Sequence, residues 1–111
     1  MGERLATIQP KGAKARDDAL MILEAARQSW LTHARNTALL HAHKYGTVTA
    51  DVIQDACEIP AEWDRRVVGA VFVPRWFRKV GYRATRRREA HARPIAVFVL
   101  TALGEDAAAK L

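Results

Sequence analysis

Arginine is the residue type whose number and spacing carry the most chemistry in this chain. Ten of its 18 lysines and arginines lie between residues 64 and 93, nine of these ten are arginines, and this segment has a net charge of +8. The guanidinium group is planar and always charged, and it suits phosphates and base edges better than the point charge of lysine does. A solvated surface is the alternative, but surfaces that serve only solubility usually intersperse both signs of charge. The segment therefore points to an anionic ligand.

Residues 64–93, which we call the basic segment, contain candidate contacts to base edges and candidate contacts to phosphates. Arg65 and Arg66 are the candidates for base edges, and the small residues Gly69 and Ala70 would allow a close approach to a groove. The segment as a whole would neutralise about 5–8 phosphates, which predicts a log–log salt slope of about −0.9 per contact on duplex DNA. The candidate binding residues are Arg65, Arg66, Gly69, Arg75, Arg78, Lys79, Arg83, Arg86, Arg87, Arg88 and Arg93.

Other chemistry finds little support in the sequence. The candidate metal ligands are His33, His41, His43 and Cys57. His41 and His43 lie about 200° apart around a helix and cannot chelate one ion from that helix, so we expect no metal site. A single cysteine also excludes an internal disulfide, and its place on an apolar stripe predicts a buried structural thiol. The only serine, Ser29, has no triad partners, and the glycines form no phosphate-binding loop. We expect neither an enzyme nor a cofactor.

A long N-terminal helix is predicted to precede the basic segment. Asp17 or Asp18 can cap its start, and Gly46 can end it, so residues 17–45 form one helix or two helices joined by a kink. Its predicted buried stripe is Leu20, Leu23, Trp30, Leu31, Ala34, Ala38, His41 and Tyr45. Met21, Leu39 and Leu40 lie off this stripe and predict a second covered face. A long helix of this kind favours a homodimer contact.

Shorter elements follow this helix. A β-prone piece at Thr47–Thr49 precedes a helix over Ala50–Glu58, and Asp64 caps a third helix that ends near Phe72. Pro74 then predicts a turn that buries Trp76 or Phe77. The chain ends in an antiparallel hairpin with the strands Tyr82–Arg88 and Ile95–Leu100 around a loop at Glu89–Pro94. Aromatic residues at helical or strand spacing predict core packing: Trp30, Phe72, Trp76, Phe77 and Phe98.

These elements predict one α+β domain, mainly α, with two flanking segments. Residues 1–16 are predicted to form a flexible basic arm, 17–104 the domain, and 105–111 a C-terminal tail. One helical turn is expected within the polar, alanine-rich end Thr101–Leu111. No apolar run approaches the ~20 residues of a membrane span or resembles a signal peptide. A membrane location is therefore not expected, and the low cysteine content favours the cytoplasm.

The order helix, strand, helix, helix and hairpin resembles the winged helix-turn-helix superfamily over residues 17–101. The segments 64–72, 80–88 and 91–97 are similar to small winged-helix proteins of phages and prophages. The resemblance implies that the third helix enters the major groove while the hairpin wing touches the backbone or the minor groove. It also implies a role in phage-type replication or transcription control, with double-stranded DNA as the partner.

Two other functions stay open at this stage. The outer face of the third helix offers almost no hydrogen-bonding groups, since it carries Gly69, Ala70 and Val73. This favours an interaction module that docks onto a protein of the replication or transcription machinery, whereas the local charge of +8 favours DNA. Binding of RNA or of a single strand is a third possibility.

Overall fold

A helix of 44 residues, α1 (Gly2–Tyr45), opens the fold. We describe a computed structural model, which gives the backbone of residues 2–85 and 93–111 and the side chains of residues 16–85 and 93–111. Gly46 follows α1 with a φ of +91°, so the predicted glycine stop is confirmed. The predicted start at Asp17 or Asp18 is wrong, because α1 begins at Gly2 and continues through both residues.

The contacts divide the chain into two units, Met1–Trp30 and Leu31–Leu111. In the second unit α1 buries Leu31, Ala34, Ala38 and Leu39 as predicted. The predicted burial of Tyr45 and Leu40 is wrong, since both side chains are exposed. In the first unit the predicted stripe is wrong, since Leu20 and Leu23 are more than half exposed. No other element lies in the described part of that unit to cover them. The domain boundaries after residues 16 and 104 stay predictions.

A three-stranded antiparallel sheet forms the β part of the second unit. Its strands β1 (Val48–Thr49), β2 (Phe77–Ala84) and β3 (Pro94–Leu100) have the order β1-β3-β2. The antiparallel pairing of the two hairpin strands and the second strand itself are confirmed. The predicted end of the first strand at Arg88 and residues 89–92 of the predicted loop lie outside the described residues. The first strand is shifted from the predicted start at Tyr82, because the turn after Val73 ends at Phe77, whose ring is buried where it pairs with Leu100.

Two short helices join β1 to β2. The first, α2 (Ala50–Ala56), buries Ile53, and the thiol of Cys57 just after it is buried as predicted. The second, η1 (Arg65–Val71), is a 3₁₀ helix rather than the expected α-helix, although Asp64 caps it as predicted by accepting a hydrogen bond from the Arg66 amide. Its β-branched valines and the nearby Pro74 disfavour a longer α-helix.

An aromatic cluster joins η1 to the sheet. The rings of Phe72 and Phe98 stack with centroids 4.3 Å apart, and Phe72 meets Phe77 edge-on at 5.4 Å. These three rings therefore pack in the core, as their spacing predicts. The cluster fixes the position of β2 relative to the end of η1.

The chain ends in α3 (Ala102–Ala109), which is longer than the single predicted turn. Thr101 caps it by accepting a hydrogen bond from the Gly104 amide at 3.1 Å. Gly104 lies against the Trp76 carbonyl so closely that a Cβ would overlap that oxygen. This contact fixes α3 beside the start of β2.

Gly104→Ala is expected to lower the free energy of unfolding by about 1–3 kcal/mol, because the added methyl would push α3 away from Trp76. Urea unfolding measures this change. Gly69→Ala is the matched control: a Cβ there meets nothing within 4 Å, so its stability should stay within about 0.5 kcal/mol of the original. Equal effects of the two substitutions would contradict the close approach at Gly104.

Candidate nucleic-acid interface

Strand β2 carries three of the candidate bases, Arg78, Lys79 and Arg83, which we call the β2 bases. All three side chains are exposed, and β2 is an edge strand of the sheet. Arg78 and Arg83 pair with residues four apart on β3, so they lie about 13 Å from each other along the strand. Two DNA phosphates separated by about the width of one groove could therefore contact Arg78 and Arg83 on the same edge of β2.

A bulge decides which face of the sheet each side chain occupies. Lys79 pairs with Phe98 and Gly81 pairs with Val97, so Val80 is the extra residue. Because neighbouring strand residues alternate between faces, the bulge places Lys79 and Tyr82 on one face and Arg78 and Arg83 on the other. The bases thus flank, from both faces, the edge of β2 that pairs with no other described strand.

Two further bases lie at the ends of this hairpin. The Arg75 guanidinium carbon lies 4.9 Å from the centroid of the Trp76 ring, just before β2. Arg93 is exposed just before β3, and its carbonyl accepts a hydrogen bond from the Thr85 amide at 3.0 Å. Arg86, Arg87 and Arg88 lie outside the described residues.

The start of η1 carries the candidates for base edges. Arg65 and Arg66 are exposed, and the Arg66 side chain, 93% exposed, has its Nε 3.9 Å from an oxygen of Asp64. An ion pair this exposed contributes little and leaves Arg66 available to a ligand. Gly69 is exposed with open space around its Cα, so nothing in the described part of the protein prevents the close approach that the sequence predicts.

Two contacts over long sequence separations hold these elements in place. Arg35 on α1 donates a hydrogen bond through Nη2 to the Ala70 carbonyl at 2.8 Å, which fixes the end of η1. The buried Thr85 hydroxyl lies 2.9 Å and 3.0 Å from the two carboxylate oxygens of the buried Asp51, which ties the end of β2 to α2. Neither contact was predicted from the sequence, because no local pattern marks pairs of residues this far apart.

Among the described candidate bases, every positive charge except that of Arg66 lacks a carboxylate partner. In the described part of the chain, no carboxylate lies within ion-pairing distance of Arg65, Arg75, Arg93 or any of the β2 bases. Such clustered charge of one sign attracts a polyanion. Tyr82, an exposed aromatic residue directly before Arg83, was not among the predicted site residues, although an aromatic residue between bases is a signal for nucleic-acid contact.

Two of the histidines, His41 and His43, make pairwise contacts in the structure. His41 contacts the Thr47 carbonyl through Nδ1 at 3.0 Å, and His43 contacts Glu105 at 3.1 Å. Over the described residues, no three His, Cys, Asp or Glu side chains come together in a metal-binding arrangement. No helix of that part of the chain has the length and apolar character needed to cross a membrane.

Comparison with known proteins gives no relative. No family model, no curated protein and no solved structure matches this chain. The function is therefore inferred from the geometry and charge of the residues described above.

Proposed function

We propose that the protein binds double-stranded DNA as a small winged-helix protein. The observation that carries the proposal is the set of exposed bases without carboxylate partners among the described residues: the β2 bases on the edge strand, and Arg65 at the start of η1. The element order from α1 to β3 supports it, because that order is the one the winged-helix resemblance implies. In this proposal η1 faces the major groove and the β2–β3 hairpin is the wing.

The contacts favour binding to phosphates over reading of sequence. Phosphate contacts position a protein on DNA, whereas base contacts give specificity. Only Arg65 and Arg66 could reach base edges from η1, and η1 is a short 3₁₀ helix whose exposed Gly69 offers no side chain. We therefore expect weak sequence preference and strong salt dependence. On the resemblance alone, we place this binding in phage-type replication or transcription control. The single cysteine favours the cytoplasm as its location.

Fluorescence anisotropy with a labelled duplex of random sequence, repeated across salt concentrations, tests the proposal. We expect tight binding at low salt and a log–log slope steeper than about −4, because five or more phosphates are contacted. Absence of binding at low salt, where electrostatic attraction is strongest, would refute it.

We also propose that α1 mediates a homodimer. Residues 16–29 are exposed throughout, and the apolar side chains of Leu20 and Leu23, which lie three residues apart on one face of α1, are 57% and 54% exposed. A contiguous exposed apolar patch marks an interaction site. A docking module for a replication or transcription protein, the second candidate function, would use the same surface.

A further inference from the structure

Tyr82 is an exposed aromatic side chain within the basic segment. It is 64% exposed, and its cross-strand neighbour on β3 is Ala96, whose small side chain leaves the ring uncovered. Three other aromatic rings near the sheet are used by the core: Phe77 and Phe98 each pack against Phe72. Tyr82 therefore has an apolar ring surface in water that the core does not use.

The bulge at Val80 decides where this ring lies. In a regular ladder Tyr82 would be on the opposite face of β2 from Lys79, since the two residues are three apart. The extra residue moves Tyr82 to the same face, opposite Ala96, while Lys79 is opposite Phe98. Bulges commonly redirect a side chain next to a functional site.

Lys79 holds the ring in place. Its Nζ donates a hydrogen bond to the Tyr82 hydroxyl at 3.0 Å and lies 5.2 Å from the ring centroid. This contact restricts the tyrosine and places a positive charge beside an open aromatic face. A stacking surface with an adjacent cation is what proteins use to bind a nucleotide whose base is not paired.

We propose that Tyr82 and Lys79 form a binding site for an unpaired nucleotide, with the base stacked on the tyrosine ring and its phosphate on the lysine. The site rests on the proposed function, because the basic segment would hold the adjoining duplex. Inside a duplex the faces of each base are covered by its neighbours, so the ring can stack only on a base outside the duplex. The ligand is therefore a DNA duplex with a single-stranded extension.

The test compares two labelled DNAs: a blunt duplex and the same duplex with a five-nucleotide overhang. We expect the full chain to bind the overhang DNA about 5- to 100-fold more tightly, the range that stacking of one base gives. Tyr82→Ala should abolish this preference and leave blunt-duplex affinity within about twofold. Tyr82→Phe should keep most of the preference, because the ring remains.

Tyr45 provides a matched control. It is 63% exposed, and Lys44 Nζ lies 5.2 Å from its ring centroid, but it is at the end of α1, outside the basic segment. Tyr45→Ala should leave the overhang preference unchanged. An equal effect of Tyr45→Ala and Tyr82→Ala would overturn the proposed site.

The remaining outcomes separate this inference from the proposed function. Equal affinity of the unaltered protein for blunt and overhang DNA overturns the nucleotide site and leaves duplex binding standing. An equal decrease in affinity for both DNAs in Tyr82→Ala also overturns the site, because it shows a general contact. Binding of a free single strand that depends on Tyr82, without binding of blunt duplex, would support the site and refute the proposed function.

Discussion

Replacing all three β2 bases by alanine is expected to weaken duplex binding about 100- to 1,000-fold at about 0.1 M salt and to flatten the log–log salt slope by about 2.7. Arg78, Lys79 and Arg83 are exposed on the edge strand, and no described carboxylate pairs with them. Each would neutralise one phosphate, and each phosphate that is no longer neutralised flattens the slope by about 0.9. Anisotropy titrations at several salt concentrations measure both quantities.

A second triple variant separates the location of the charge from its amount. Arg27, Lys44 and Lys110 are also exposed, and their joint replacement by alanine lowers the net charge by the same three units. They lie outside the basic segment, so we expect affinity to fall by less than about tenfold and the slope to stay nearly unchanged. Equal decreases for the two variants would show attraction by net charge alone and would contradict the assignment of the contacts to β2. Thermal unfolding of both variants checks that the fold is retained.

Features that depend on local chemistry could be predicted from the sequence. Gly46 ends α1 because its φ of +91° suits a residue without a Cβ, and Asp64 caps η1 with its own side chain. The run of β-branched and apolar residues at Ile95–Leu100 forms β3 as predicted. In each case neighbours in sequence decide the outcome, so a short pattern is sufficient.

Features that depend on tertiary contacts could not be predicted. The start of β2 at Phe77 is set by packing against Phe72 and pairing with β3, and the bulge at Val80 is set by the register of the hairpin. The pair of Asp51 and Thr85 joins residues 34 apart. The arginine-rich composition identified the candidate interface, but only the register placed its side chains on particular faces and brought Tyr82 beside Lys79.

The exposed leucines of α1 give the second large expected effect, which is a loss of dimerisation. Leu20→Lys with Leu23→Lys is expected to raise the dimer dissociation constant at least 100-fold. Each dimer would lose four buried leucines, two from each copy. Burying a fully exposed leucine side chain contributes about 1.5–3 kcal/mol to association. Roughly half of this free energy applies here, because each side chain is already partly covered in the single copy. Sedimentation equilibrium over a range of micromolar concentrations measures the constant.

Met21 supplies the control for this change. It is 69% exposed, more than either leucine, but it lies about 100° around the helix from Leu20 and off the stripe that includes Leu20 and Leu23. If the stripe is the contact between two copies, Met21→Lys leaves the dissociation constant within a few fold. Equal disruption by Met21→Lys would show that the contact is not confined to that stripe. A monomer at all concentrations for the unaltered chain would contradict the dimer itself and leave the exposed apolar residues to a different protein.

Because two joined copies would present two basic segments to one DNA, the double lysine variant should also lower duplex affinity by an avidity effect of about 100-fold.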